Sequence, residues 1–273
     1  MTGHYFDHTF VRLHYYKFGK GADNMLCFHG FGMHGKQFKL MTETFGDKFT
    51  FWGFDLFFHK ETWLKDQSLA TVKKGLQKKE FANLIKDFCK HEQIERFSVI
   101  GYSMGSHYAT TVVEELPDMV NEYIVAAPSS INPGSLIRYF GKNKTGNKLL
   151  EKLMLSKKAM INLISLCEWC KFIDAAGRDI LHNEIGTAEL RFALYACFTY
   201  LRHLETNEQQ LINMLEKHNI RSIFIFGKYD KMYLPAIGKV FFTRLKQAEV
   251  IILEENHEMI NKNFVSKLAE VLL

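Results

Sequence analysis

The chain has 273 residues, 47% hydrophobic and 24% charged, with 18 Gly and only 4 Pro. That composition supplies one sizeable core and excludes a disordered or fibrous chain. Thirty-five basic residues against 30 acidic ones leave a formal charge of +5, too mild an excess to imply nucleic acid.

The first ten residues, MTGHYFDHTF, show neither the basic start nor the apolar stretch of a signal peptide. No later apolar run approaches the ~18 residues of a transmembrane helix. Residues 9–18 alternate and end at Gly19–Gly21, which predicts an early antiparallel strand and turn. Residues 25–28 read as a buried strand running into His29-Gly30-Phe31-Gly32. A helix is expected over 36–45 and a strand over 49–56. Residues 74–93 carry helical spacing, with Leu76, Phe81, Leu84, Ile85 and Phe88 on one face. A strand over 97–102, a helix over 106–115 ended near Pro117, and a strand over 122–127 follow. Residues 131–205 break the rhythm: no convincing strand, several amphipathic helical stretches. Strands then return at 220–227 and 248–254, with a helix over about 236–245 between them and a closing helix over 263–273. The alternation indicates an α/β class with a mostly parallel central sheet and helices on both faces. The core is expected from 1–130 and 206–273, with 131–205 a helical insertion and not a second independent domain.

Five cysteines in a chain this long read as reduced thiols, not a disulfide framework. With the absent leader, they point to a cytoplasmic protein. Cys167 and Cys170 have zinc-like spacing, but no second Cys or His pair accompanies them, so two packed thiols on a helix are expected and no metal site. Gly19–Gly21 lacks both the Gly-x-Gly-x-x-Gly and the phosphate-loop patterns, so no nucleotide cofactor is expected.

Gly101-Tyr102-Ser103-Met104-Gly105 follows the strand at 97–102 and precedes a helix. A serine on so tight a strand-to-helix turn has a strained backbone, and flanking glycines let the chain pass without clashing. The turn exposes the hydroxyl and aims the helix N-terminus at the reacting centre. Here the chain resembles the α/β-hydrolase fold family, whose order is nucleophile, acid, histidine. Asp230 ends a buried strand and Gly-containing turn, with Pro235 a few residues on, and His257 follows the last strand. Ser103, Asp230 and His257 thus all lie just past strand C-terminal ends, where open α/β sheets place their sites. The resemblance covers nearly the whole chain, helical lid included. It implies that His257 takes the Ser103 proton and that Asp230 fixes the imidazole tautomer. Glu254 and Glu255 are rival acids, too close to His257 in sequence.

The same resemblance assigns an oxyanion hole to the backbone N–H groups of Met104 and Phe31, the latter in Cys27-Phe28-His29-Gly30-Phe31-Gly32. His29 is expected to orient that loop. Asp55-Leu56-Phe57-Phe58-His59 resembles the family's Asp-x-x-Gly-His-Gly loop, with phenylalanine for the usual glycine. A bulkier loop is expected, with Asp55 and His59 as structural partners.

In this family an insertion at 131–205 covers the serine and shapes the pocket. Its apolar side chains suit an acyl chain, and Phe31, Tyr102, Met154, Met160, Trp169 and Phe198 are the candidate substrate contacts. Lys144, Lys148 and Lys152 recur every four residues, with Leu149, Leu150, Leu153 and Met154 opposite. With Arg138, this row is either a solvated face or a dock for an acidic partner: an acyl carrier protein, since the chain is similar to carrier-protein methyl ester esterases, or anionic lipid. The expected activity is cofactor-free serine hydrolysis of a carboxylic ester or thioester, carboxylesterase-like. Carbon–carbon bond hydrolysis or cofactor-free peroxidation on the same three residues, or a weakly catalytic small-ligand receptor, stay open.

Overall fold

In the computed structural model, which describes residues 2–245 and 247–273, nine strands of the described residues form one sheet. Strands β1 (Gly3–Asp7), β2 (Val11–Gly19) and β3 (Asp23–Phe28) open the chain. A 3-10 turn over Gln37–Met41 leads into α1 (Thr42–Phe45), followed by β4 (Phe49–Phe54) and the short β5 (Trp63–Leu64). Next come α2 (Leu69–Lys74), α3 (Lys78–His91), β6 (Phe97–Tyr102), α4 (Gly105–Glu115) and β7 (Val120–Ala126). Five helices then run without a strand: α5 (Gly134–Lys142), α6 (Lys144–Leu153), α7 (Lys157–Trp169), α8 (Ala175–Asn183) and α9 (Ala188–Tyr200). The chain ends with α10 (Glu208–Lys217), β8 (Arg221–Gly227), α11 (Lys239–Arg244), β9 (Ala248–Leu253) and α12 (Lys262–Leu272). Among the described residues no helix is long and apolar enough to cross a membrane.

The strand order is β1-β2-β4-β3-β6-β7-β8-β9, with β5 pairing β2. β1, β2 and β5 are antiparallel to their neighbours, and everything from β4 to β9 is parallel. Parallel strands covered on both faces need apolar residues at every position, and β4 and β6 are buried throughout. Successive residues serve opposite faces. Leu26, Phe28 and Val99 join the core under α3 and α4, whereas Met25, Cys27 and Ile100 join the core under α1 and α12. On α3 the buried stripe is Phe81, Leu84, Ile85 and Phe88, and Phe88 meets Tyr15, Trp52 and Phe54 edge-on. Each such buried side chain contributes ~1.5–3 kcal/mol.

Several expected elements differ in detail. The helix expected over 74–93 is two helices. Ser68 caps α2, and Gly75, at φ +78° and pressed against His203 and the Tyr200 carbonyl, ends it before α3 begins. The helix at 36–45 is a 3-10 turn plus one α-turn, and Pro235–Gly238 is likewise a 3-10 turn ahead of α11. β1 and β5 lie at the antiparallel end of the sheet and escaped the sequence reading; β1 is mostly exposed and β5 is two residues long.

Candidate active site

Ser103 stands between β6 and α4 with φ +50°, the left-handed region that a serine adopts only when the surroundings enforce it. Its N–H donates to the Ala126 carbonyl (2.9 Å), while its own carbonyl accepts from Ser106 Oγ (2.6 Å) and Ser129 Oγ (2.8 Å). The flanking glycines serve close approach, not φ. A Cβ on Gly105 would lie 1.9 Å from the Phe28 carbonyl oxygen, and one on Gly101 would lie 2.6 Å from the Gly105 carbonyl oxygen. The turn therefore presses α4 against β3 and lifts the hydroxyl above the sheet.

Ser103 Oγ is 3.2 Å from His257 Nε2, and His257 Nδ1 is 2.8 Å from Asp230 Oδ2. Asp230 is fully buried, and its other oxygen accepts the backbone N–H groups of Met232 (2.8 Å) and Tyr233 (3.0 Å). With both oxygens occupied, the carboxylate fixes the ring so that Nδ1 faces Asp230 and Nε2 faces Ser103. The loops bearing these groups are tied together. Lys228 N–H bonds the Leu253 carbonyl and Tyr229 N–H the Glu255 carbonyl, and the Tyr102 hydroxyl donates to the His257 carbonyl. Glu254 faces away, bonded to Lys228 and the Tyr229 hydroxyl, and Glu255 accepts from Asn263.

Phe31 and Met104 both border the cavity above Ser103. Among the described residues, neither backbone N–H donates a hydrogen bond within the chain. Two neutral histidines hold the Phe31 loop. His29 Nδ1 donates to the Gly30 carbonyl (2.7 Å), and its Nε2 accepts the Leu56 N–H (3.0 Å). His59 Nδ1 donates to the Phe57 carbonyl (2.9 Å), and its Nε2 accepts the Gly32 N–H (3.0 Å). Burial pushes both imidazoles toward the uncharged form, His29 well below the ordinary range and His59 down to about 4. Asp55, also fully buried, bonds His14 Nδ1 (2.7 Å) and the Gly35 N–H (2.7 Å), so it joins β2 to both loops. Phe58 and Lys60, where the family pattern has glycines, occupy left-handed backbone at φ +63° and +48°.

A cavity of about 370 Å³ opens over Ser103, and each of α5–α9 contributes to its wall. Of the six candidate contacts, Phe31, Tyr102, Met160 and Phe198 line it. Met154 and Trp169 do not, which corrects the sequence reading. Met154 is half-buried between α6 and α7, its carbonyl accepting from Arg191 (2.8 Å), and Trp169 points outward at the end of α7. Leu136, Ile173, Ile180, Leu181 and Met232 line the cavity instead. The apolar stripes of α5 and α8 were the available signal for three of them.

Cys167 faces the cavity but Cys170, just beyond α7, is exposed, so the expected pair of packed thiols is not formed. No metal-ligand cluster of three or more such groups occurs among the described residues. On α6, Lys144, Lys148 and Lys152 are exposed as expected, but of the opposite set only Leu150 is buried, and Leu149 is exposed.

A mostly parallel sheet carrying a strained serine, an aspartate and a histidine past its strand ends is the architecture of the α/β hydrolases. The fold is that of the α/β hydrolases, and residues 23–146 match the alpha/beta hydrolase fold family model. It is 23% identical over 261 residues to the uncharacterized hydrolase YugF of Bacillus subtilis, covering 89% of each chain. It is 28% identical over 141 residues to putative esterase/lipase 3 of Mycoplasma pneumoniae, 51% of this chain and 48% of that one. Solved structures of similar fold include MGS-M2, an alpha/beta hydrolase enzyme from a Medee basin deep-sea metagenome library (TM-score 0.71, 15% identity, 98% and 96% covered). A probable hydrolytic enzyme of Pseudomonas aeruginosa matches at TM-score 0.72, with 15% identity and 100% and 94% covered.

Proposed function

We propose that this hydrolase of the α/β fold is a serine hydrolase of carboxylic esters or thioesters with an apolar acyl part. The observation that carries the reading is the relay Ser103 Oγ–His257 Nε2 and His257 Nδ1–Asp230, opening into an apolar cavity. The name of the Mycoplasma relative, a putative esterase/lipase, agrees with it.

His257 Nε2 takes the Ser103 proton as Oγ attacks the acyl carbon. The resulting oxyanion accepts the Phe31 and Met104 N–H groups, each worth ~3 kcal/mol of transition-state stabilisation. The bond to the leaving oxygen or sulfur then breaks, and His257 returns the proton to it. Water, deprotonated by His257, repeats the attack on the acyl-enzyme; carboxylic acid leaves and Ser103 regains its proton. Asp230 keeps the imidazole oriented and stabilises the imidazolium. Residues 131–205 act as the lid, enclosing the acyl chain within a volume at the lower end of ligand pockets.

The test is a chain-length series of p-nitrophenyl esters with wild type beside Ser103→Ala. Turnover that vanishes in the folded variant is the expected result, with the preferred chain length reporting the cavity's depth. A wild type inert on every ester, or a Ser103→Ala variant as active as wild type, overturns the reading.

A further inference from the structure

We propose that the outer face of the inserted helices, with α7 at its centre, docks on an anionic phospholipid bilayer. α7 is apolar on two sides. Met160, Leu163, Ile164 and Cys167 face the cavity. Outward stand Leu155, two residues before the helix and 77% exposed, Leu166 (55%), Trp169 (80%) and Phe172, three residues beyond it (52%). Large apolar side chains are therefore left in water at both ends of a helix ~20 Å long. Single exposed apolar residues need no explanation, but four within eighteen positions mark an interaction surface.

The surrounding charge says what covers it. Residues 138–172 hold eight cations and two acids. Both acids are taken, Glu151 by Lys73 (2.8 Å) and Glu168 by Arg178 (2.9 Å). Lys142 is paired with Glu205. The other seven cations, Lys157, Lys158 and Lys171 beside the apolar tips among them, make no ion pair among the described residues. Such a set repels a second copy of itself, because a symmetric contact would bring two uncompensated positive faces together. A protein partner would need pockets matched to tips spread along a convex helix. A bilayer interface accepts any such set: aromatic and leucine tips enter the headgroup boundary, while lysines reach outward to anionic lipid.

The surface is also continuous with the site. Phe172 both lines the cavity and is half exposed, so the docked face borders a route for an acyl chain from lipid to Ser103. That route rests on the hydrolytic reading; docking itself does not.

The test is co-sedimentation of the full chain with phosphatidylcholine vesicles, with and without phosphatidylserine, read together with tryptophan emission. Binding should require phosphatidylserine, fall steeply with salt and shift Trp169 emission to the blue. The shift should vanish in Trp169→Phe. Leu166→Ala with Trp169→Ala should weaken partitioning roughly ten-fold or more, and Lys157→Gln or Lys158→Gln about five-fold each. Ser103→Ala should bind as wild type, so failed docking and failed hydrolysis are separate results. Equal binding to neutral vesicles, no binding, or binding indifferent to these substitutions overturns the proposal. So does a Trp169-dependent dimer in sedimentation velocity, which gives the face to a second copy. Polyglutamate capture that equals vesicle binding and ignores Trp169 gives it to an acidic protein instead.

Discussion

His59→Ala isolates the support of the candidate oxyanion loop from the chemistry itself. The imidazole spans two backbone groups, accepting the Gly32 N–H at 3.0 Å and donating to the Phe57 carbonyl at 2.9 Å. Removing it orphans both, the Gly32 N–H in a part-buried place, at ~1–2 kcal/mol each, so a stability loss of about 2–4 kcal/mol is expected. A domain stable by ~5–15 kcal/mol survives that. Gly32 follows Phe31 directly, and the His59 ring meets the Phe31 ring edge-on at 5.4 Å. A loosened Gly32 therefore lets the Phe31 N–H drift from the oxyanion position. Full loss of that donor costs ~3 kcal/mol, about two orders of magnitude in rate, which sets the ceiling. The assay is ester hydrolysis beside urea denaturation for wild type, His59→Ala and His59→Gln. kcat should fall by up to about a hundred-fold in the alanine variant with KM little changed, as for an interaction made only in the transition state. Glutamine, whose amide oxygen can replace Nε2 as acceptor, should restore most of kcat. A folded His59→Ala protein with full kcat would refute the reasoning.

Lys60→Gly should stabilise the protein. An exposed lysine at φ +48° carries ~1–2 kcal/mol of left-handed strain, offset by ~0.5–1 kcal/mol of extra freedom in the unfolded glycine chain; a lower denaturation midpoint would contradict this. Gly105→Ala should cost at least about 3 kcal/mol or abolish the folded protein, because the new methyl meets the Phe28 backbone and not a movable side chain. A stable, active variant would mean that α4 does not sit so close to β3. Stability should fall as pH drops from about 6.5 toward 4. Burial depresses His29 and His59 in the folded chain, so the unfolded chain binds more protons in that window. Each contributes its full stabilisation above the ordinary imidazole range and loses ~1.4 kcal/mol per pH unit below it. Urea titrations across pH 4–7 test this, and His59→Gln should flatten the slope by about one proton; a flat wild-type profile would count against buried neutral imidazoles.

Much of the molecule was legible before any coordinates, because the signals are local. The strand–turn–helix around Ser103 is written in seven apolar and glycine positions, and the parallel strands announce themselves as unbroken apolar runs with both faces covered. The resemblance to the family, with its order of nucleophile, acid and histidine, nominated Asp230 and His257, each just past the end of a strand. Tertiary structure decided what depends on partners distant in sequence. Gly75 ends a helix at φ +78°, a stop that the glycine itself signals, but that a Cβ there would meet His203 and the Tyr200 carbonyl is written nowhere near position 75. Trp169 and Phe172 are equally apolar, yet one faces water and the other also borders the cavity. Periodicity shows that a helix has an apolar face; when apolar residues occupy both sides, only packing chooses which turns inward. The same holds for charge: His29 and His59 act as neutral hydrogen-bonding struts because burial disfavours the imidazolium, a property of the surroundings and not of the residue.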